Sequence, residues 1–513
     1  MPGRRAGKIA GSSNSPRLAM ASPTHTHRGR RFLPHEPRAI IPFLHRMRKT
    51  KIICTLGPAT EKAETVRQLI QKGADVFRFN MSHAEHGWVR AMVPRIHQLA
   101  GKIGRPIAIL LDAQGPAIRT GDLQTDLDLK RGDILEFTVG GAKPKEKYSV
   151  AVNYDGFVSD VSGGDTVLVD NGLIRLIVIE QGKNRVRCKV MTPGKLGSRR
   201  HINLPGVHVN LPPLTKKDIV DLTLGVQLGV DFVGLSFARQ KSDLDELRDF
   251  LAQKKSKALI VVKIEDQSAV RQIDEMIAAA DAVMIARGDL GIEIPMEELP
   301  IIQRRIVKHC IRLGKPVVVA THMLESMITN PIPTRAEITD VANAVFEQAD
   351  AVMLSGETTV GRYPVECVQI LHRVAQRIER SGGAGYAEGA LLEDVRQKTV
   401  ASAVVLANSL SGSKLIVFTR HGTMARYVSN MRPQHAPIFA FTPSEEVYRQ
   451  LALCWGTYPM QVDFTEDPNA TIEAAEKLLR KNKLTASGDQ LVIISDLRAD
   501  KSLVDCVQLR TAK

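Results

Sequence analysis

The sequence predicts an α/β protein: a (β/α)8 TIM barrel with a small all-β domain inserted into it and a C-terminal α/β domain after it. Three observations predict this. Short apolar runs alternate with helical stretches eight times over residues 49–120 and 206–380, and eight βα units close such a barrel. Over residues 121–205 the rhythm gives way to short alternating runs separated by Gly, Asp and Asn, the mark of an all-β unit. From 396 to 513 a helix opens a second series of buried strands.

The chain of 513 residues is long enough for three or more cores. Apolar content of 43% and charged content of 24% are those of a globular protein. No apolar run reaches the ~20 residues of a spanning helix, so no membrane segment is expected. The net charge is +15, but ten of those charges fall in residues 1–49, where eleven Lys and Arg face one acid, Glu36. The body is thus only mildly basic, and nucleic acid is not expected as a partner. The arm, with Phe32 and Phe43 as its aromatics, would give salt-dependent, sequence-blind binding at best. Six scattered cysteines without a C-x-x-C pair argue against zinc and a disulfide framework, and fit a reducing cytoplasm.

Residues 1–48, rich in Arg, Ser, Pro, His and Gly, are expected to be a disordered basic extension. Two origins fit it: sequence upstream of a true start at Met47, or an Arg- and Ser-rich transit peptide. The barrel begins with strands at 51–55, 75–80 and 107–111, with helices from Glu61 to Lys72 and over roughly 86–100. The inserted domain has strands at 134–138, 166–169, 173–177 and 186–190. The barrel resumes with strands at 232–237, 259–262, 283–285, 317–320 and 351–354. Residues 380–395 read as a linker, and strands follow at 415–418, 438–441 and 491–494, expected to be parallel.

In such a barrel the active site lies at the C-terminal rim. The residues delivered there include Thr55, Arg78, Asn80, Ser82, His83, Asp112, Ser236, Lys263, Glu265, Arg287, Gly288, Asp289, Thr321, His322 and Glu357. Glu265 and Asp289, one strand apart, are suited to hold Mg²⁺ through oxygens, with Lys263 and the forked donor Arg78 on a phosphoryl group. Gly288 lets the backbone come close to a ligand, and the amides beside Asp289 suit a substrate carboxylate. There is no G-x-x-x-x-G-K-[ST] loop, no G-x-G-x-x-G after a strand and no H-E-x-x-H.

With these residues in place, the sequence resembles the pyruvate kinase family from about Arg48 to Arg510. The resemblance is carried by Lys51 to Pro58, by Arg78-Phe79-Asn80-Met81-Ser82-His83 and by Asn203-Leu204-Pro205-Gly206. It continues in Lys263-Ile264-Glu265, Ala286 to Gly291, Ala320 to Met327, Pro333 to Glu337 and Leu354 to Thr358. It implies phosphoryl transfer from phosphoenolpyruvate to ADP, giving pyruvate and ATP, the last step of glycolysis. It further implies Mg²⁺ on Glu265 and Asp289, with Mn²⁺ as a substitute, and K⁺ near Asn80, Ser82 and Asp112. Lys263 would stabilise the phosphoryl in flight, Arg78 would bind phosphate and Thr321 would lie by the enolate carbon. Asn80, His83 and Arg119 would face the nucleotide, the inserted domain would close as a lid, and the assembly would be a homotetramer. A Mg²⁺-dependent aldolase or lyase acting on pyruvate or oxaloacetate is the alternative that shares the carboxylate pair.

Three departures stand out. Ala113, Gln114 and Ala117 replace the Thr, Lys and Glu of the K⁺-requiring pattern, so a reduced or altered K⁺ requirement is expected. His322 replaces the usual Gln beside Thr321; it reads as a hydrogen-bonded rim residue or, more sharply, as a proton relay to Thr321. In the C-terminal domain Thr419, Gly422 and Thr423 suit an effector phosphate, but Ser495 to Asp500 replaces the family's later glycine-rich loop with two added acids. Activation by fructose bisphosphate is therefore expected to be weak or absent.

Overall fold

Eight parallel strands close into a barrel in the computed structural model, which describes residues 47–499 and 502–512. The extension expected over 1–48 lies, up to residue 46, outside the described residues. The barrel opens with β1 (Lys51–Thr55), β2 (Val76–Asn80) and β3 (Ala108–Asp112). The chain then forms β4 (Leu127–Leu129), β5 (Ile134–Thr138), β6 (Tyr148–Ala151), β7 (Thr166–Val169), β8 (Ile174–Gln181), β9 (Arg185–Val190), β10 (Gly194–Leu196) and β11 (Ile202–Asn203). It returns as β12 (Phe232–Leu235), β13 (Leu259–Ile264), β14 (Ala282–Ala286), β15 (Val317–Ala320) and β16 (Ala351–Leu354). The closed order is β1-β16-β15-β14-β13-β12-β3-β2.

Strand alternation divides the apolar residues into two sets. Ile53, Leu110, Val261, Met284, Val318 and Met353 fill the barrel interior, where Ala452 and Leu453 of the C-terminal domain join them. Ile52, Ile109, Val262 and Ile285 belong to the cluster packed with the surrounding helices.

The barrel floor shows a repeat. Asp75, Asp231, Asp281 and Asp350 directly precede the second, fourth, sixth and eighth barrel strands. Each accepts a main-chain N–H from the strand before it: Ile52, Ile109, Ile260 and Val317, at 2.9, 2.8, 2.9 and 3.0 Å. Each also meets arginine: Arg48 and Arg105, Arg449, Arg248 and Arg432 respectively. A carboxylate that closes a strand start is removed from water and needs such a counter-charge. Arg48, grouped by composition with the basic extension, is thus part of the folded floor.

The inserted domain is a six-stranded sheet in the order β11-β7-β8-β9-β5-β6, beside a separate β10-β4 pair. β4, β6, β10 and β11 have two to four residues each, too few for alternation to announce them. Its neck is two antiparallel segments, bridged at Arg119 and His201, with Thr120 N–H donating to Arg200 O at 2.8 Å and Ile202 N–H to Ile118 O at 2.9 Å.

The C-terminal domain contains β17 (Lys414–Phe418), β18 (Ile438–Thr442), β19 (Thr457–Gln461), β20 (Gln490–Ala499) and β21 (Ser502–Thr511), in the order β19-β18-β17-β20-β21. The three expected strands, β17, β18 and β20, run parallel, and β21, which the sequence reading lacks, adds to β20 antiparallel, so the sheet is mixed. One expectation is corrected here. The segment expected as a loop from Ser495 is instead strand through Ala499, its ladder unbroken from Gln490↔Thr511 to Ala499↔Ser502. A continuous ladder satisfies the backbone groups that a loop would leave to water.

No helix among the described residues is long and apolar enough to cross a membrane.

Candidate active site

The barrel's C-terminal rim holds a buried polar network drawn from five strands. Lys263 lies within β13, which runs two residues past the predicted end at Val262, and Glu265 is the first residue beyond it. The Lys263 ammonium donates to Ser236 Oγ at 2.7 Å and lies 3.2 Å from Glu265 and 3.7 Å from Asp112. Arg78 Nε donates to Asp112 Oδ2 at 2.7 Å, and its Nη1 donates to Thr55 Oγ1 at 3.0 Å. Gly234, on the strand beside β3, makes room for Asp112, whose Oδ1 would lie 2.5 Å from a Cβ there.

Charge balance sets the protonation states. Burial alone would raise the Asp112 carboxyl, but Lys263 and Arg78 outweigh it and hold the group below the usual carboxylate range. Burial likewise acts to lower Lys263, and Asp112 and Glu265 reverse that, so its ammonium is held charged. Glu265 goes the other way: burial pushes its carboxyl up, Lys263 opposes this and Asp289 adds to it.

Glu265 has one oxygen short of a hydrogen bond. Its Oε1 accepts the Phe237 N–H at 2.5 Å, whereas its buried Oε2 lies 3.2 Å from the Lys263 ammonium without a hydrogen bond. A buried carboxylate oxygen held by an ion pair alone, near a second carboxylate, fits a divalent cation. Among the described residues no three His, Cys, Asp or Glu side chains form a complete cage. Two carboxylates with the remaining positions left to water and substrate is the usual provision for Mg²⁺.

The helix Arg287–Glu293 starts directly at the end of β14. Its Gly288 N–H donates to Thr321 Oγ1 at 2.7 Å, and that hydroxyl donates to Ala320 O at 2.6 Å. Packing does not demand a glycine at 288, since a Cβ would find Thr321 atoms only at 3.6 Å. Thr321 has φ +68° and His322 φ +56°, a left-handed pair that non-glycine residues adopt under constraint. His322 is exposed, and no hydrogen bond joins it to Thr321 among the described residues. Arg287 faces away from the rim: it donates to Ala320 O, Thr321 O and Asp340 and pins β14 to β15.

Two clefts meet at Arg78 and Asn80. One, of about 290 Å³, is lined by Ser82, Gln114, Ala117, Arg119, Arg200, His201, Lys263 and Asp289. The other, of about 580 Å³, is lined by Thr55, Pro58, His83, Trp88, Ser355 and Thr359. His83 and Arg119, paired in the expectation, thus face different clefts. Asn80 stands opposite Asp112 in the β2–β3 register, and its Oδ1 accepts the Ser82 N–H at 3.2 Å. Sequence reading missed Arg200, His201 and Phe237 as site residues. The first two return from the inserted domain, and only the neck's geometry brings them to the rim; Phe237 follows Ser236 past the end of β12, at φ +55°.

Far from the rim, Thr419, Gly422 and Thr423 lie between β17 and the helix Thr423–Asn430, with Gly422 at φ +80°. Arg426 donates to Thr423 Oγ1 at 3.3 Å, and the Arg420 guanidinium rests over the Phe464 ring at 4.9 Å.

Comparison with known proteins follows this geometry. The family profile described as pyruvate kinase, barrel domain, matches residues 47–368, and that described as pyruvate kinase, alpha/beta domain, matches residues 397–505. The chain is 41% identical over 468 residues to a pyruvate kinase of Bacillus licheniformis, covering 87% of this chain and 77% of that protein. It is 39% identical over 457 residues to the chloroplastic pyruvate kinase isozyme G of Nicotiana tabacum, covering 88% of this chain and 81% of that protein. A pyruvate kinase 2 of Synechocystis is 36% identical over 472 residues, covering 91% and 80%. With both profiles matched in chain order and such relatives aligned over most of their length, the chain belongs to the pyruvate kinase family.

Proposed function

We propose that the protein transfers the phosphoryl group of phosphoenolpyruvate to ADP, giving pyruvate and ATP. The observation that carries this is the Glu265 Oε2, without a hydrogen bond and 3.2 Å from a charged Lys263, in a buried network. Glu265 and Asp289 would hold Mg²⁺ or Mn²⁺, which when bound neutralises phosphoryl and carboxylate charge. Lys263 stabilises charge on the phosphoryl group between donor and acceptor. Arg78, steadied by Asp112 and Thr55, presents its fork to the same group. Thr321 anchors the first turn at Gly288 and places its side chain by the enolate carbon. Asn80, His83 and Arg119 take the nucleotide from the two adjoining clefts. The inserted domain covers the rim and keeps out water, the competing phosphoryl acceptor. K⁺ is assigned to Asn80, Ser82 and Asp112, and Thr419, Gly422 and Thr423 to a phosphorylated effector.

The assembly proposed is a homotetramer in the cytoplasm. Exposed Met296, Ile301 and Ile332 on the barrel and Val395, Val405 and Leu509 on the C-terminal domain supply apolar surface for subunit contacts. A coupled assay with phosphoenolpyruvate, ADP and Mg²⁺ should yield equal amounts of pyruvate and ATP. Pyruvate released from oxaloacetate without ATP would instead favour the aldolase or lyase alternative.

A further inference from the structure

We propose that His201 is a positioning residue that ties the neck of the inserted domain to the Glu265 carboxylate through the ring of Phe237. The inference rests on Glu265 being a metal ligand, as proposed above.

His201 sits on the returning segment of the neck. Its backbone bridges Arg119 on the outgoing segment, and its carbonyl accepts the Asp170 N–H at 3.1 Å. These bonds fix the residue to the inserted domain. Its ring points to the barrel and meets the Phe237 ring, with centroids 5.5 Å apart and planes at 54°, within the range of favourable aromatic pairs.

Phe237 connects this contact to the metal site. Its amide, not its side chain, donates to Glu265 Oε1 at 2.5 Å and leaves Oε2 facing the Lys263 ammonium without a hydrogen bond. The bond is made from a backbone at φ +55°, which a bulky residue holds only when its surroundings over-determine it. Two neighbours supply that constraint. Gly115 lies so close that a Cβ there would be 3.1 Å from the Phe237 ring and 2.8 Å from Ser236 O. The His201 ring packs against the Phe237 ring. Without the imidazole the Phe237 ring gains room, residue 237 can leave the left-handed region, and its amide swings off Glu265. The carboxylate then turns, and Oε2 loses its fixed direction. Such outer partners set ligand orientation and hence metal affinity.

The role belongs to the ring as a contact surface and needs no proton on it, so another aromatic ring should substitute. A residue that merely filled space at the neck would leave metal binding unchanged.

Binding of Mn²⁺ alone to the full-length protein, read by electron paramagnetic resonance of the free ion, tests this. His201→Ala should bind Mn²⁺ about tenfold more weakly than the unaltered protein. His201→Phe should stay within about twofold of it. Phe237→Leu, which keeps an apolar side chain there, should show the same loss as His201→Ala. Unchanged Mn²⁺ affinity in His201→Ala, or equal loss in His201→Ala and His201→Phe, overturns the proposal. Glu265→Gln separates the two levels: if it binds Mn²⁺ as the unaltered protein does, the metal assignment itself fails. If it loses binding while His201→Ala does not, only the coupling fails.

Discussion

Asp350, at the foot of β16, is paired at 2.6 Å with Arg432 of the C-terminal domain, and both side chains are only 2% exposed. The carboxylate also accepts the Trp455 and Val317 N–H groups, and the Trp455 ring lies beneath the Arg432 guanidinium. Arg432→Met leaves a buried charge unpaired and is expected to destabilise by about 3–5 kcal/mol. Adding Asp350→Asn should recover part of the loss. Thermal unfolding of the single and double variants measures both, and identical midpoints for Arg432→Met and the unaltered protein would remove this pair from the account.

His372 makes the fold sensitive to acid. Burial, reinforced by Arg48, pushes its imidazole down to about 4 from an ordinary 6.5. Arg48 can only donate, so Nδ1, at 3.4 Å, is an acceptor in a neutral ring. The unfolded chain therefore takes up a proton below about 6.5, whereas the folded protein resists until about 4. Stability from this group is present above 6.5 and is lost as pH falls through that window. The ring is partly exposed, so we expect a loss of about 1 kcal/mol rather than the full linkage value. Urea midpoints at pH 7.5 and 5 should fall less in His372→Gln than in the unaltered protein; equal falls would show the acid sensitivity to lie elsewhere.

Lys263 is the buried cation whose neighbours Asp112 and Glu265 keep it charged. Lys263→Met should lower kcat by about 10²–10³-fold, with a much smaller change in KM for phosphoenolpyruvate. A rise in KM with kcat preserved would assign the lysine to ground-state binding instead.

The K⁺ requirement should be weaker than in relatives with Thr, Lys and Glu at the positions of Ala113, Gln114 and Ala117. Asp112 already faces Arg78, Lys263 and Ser236, so an ion at Asn80 and Ser82 shares its carboxylate with two cations. Replacing K⁺ by a tetraalkylammonium ion should leave measurable turnover, and Ala117→Glu should increase the dependence on K⁺. Complete loss of turnover without K⁺ in the unaltered protein contradicts the expectation.

Fructose 1,6-bisphosphate should leave the phosphoenolpyruvate saturation curve in place. Thr423 is engaged by Arg426, Arg420 lies on Phe464, and the strand β20 occupies the place of the expected second loop. A pronounced left shift of the curve on adding the sugar phosphate would count against this.

By itself the sequence determined the eight-unit barrel with its inserted and C-terminal domains, and it put forward candidates for the site. Apolar period and strand-end residues are local properties, so Lys263-Ile264-Glu265 and Asp289 announce themselves within one βα unit each. What only the tertiary structure decided are relations between distant segments. The repeat of Asp75, Asp231, Asp281 and Asp350 becomes a device only when each carboxylate meets the preceding strand and an arginine from elsewhere in the chain. β21 is visible only once β20 is there to pair with it. His201 and Phe237 are 36 residues apart, and no period links them; the closure of the neck against the barrel rim does. The Glu265 oxygen without a hydrogen bond belongs to the same class, because hydrogen-bond satisfaction is a property of the packed site and not of the residue that carries the atom.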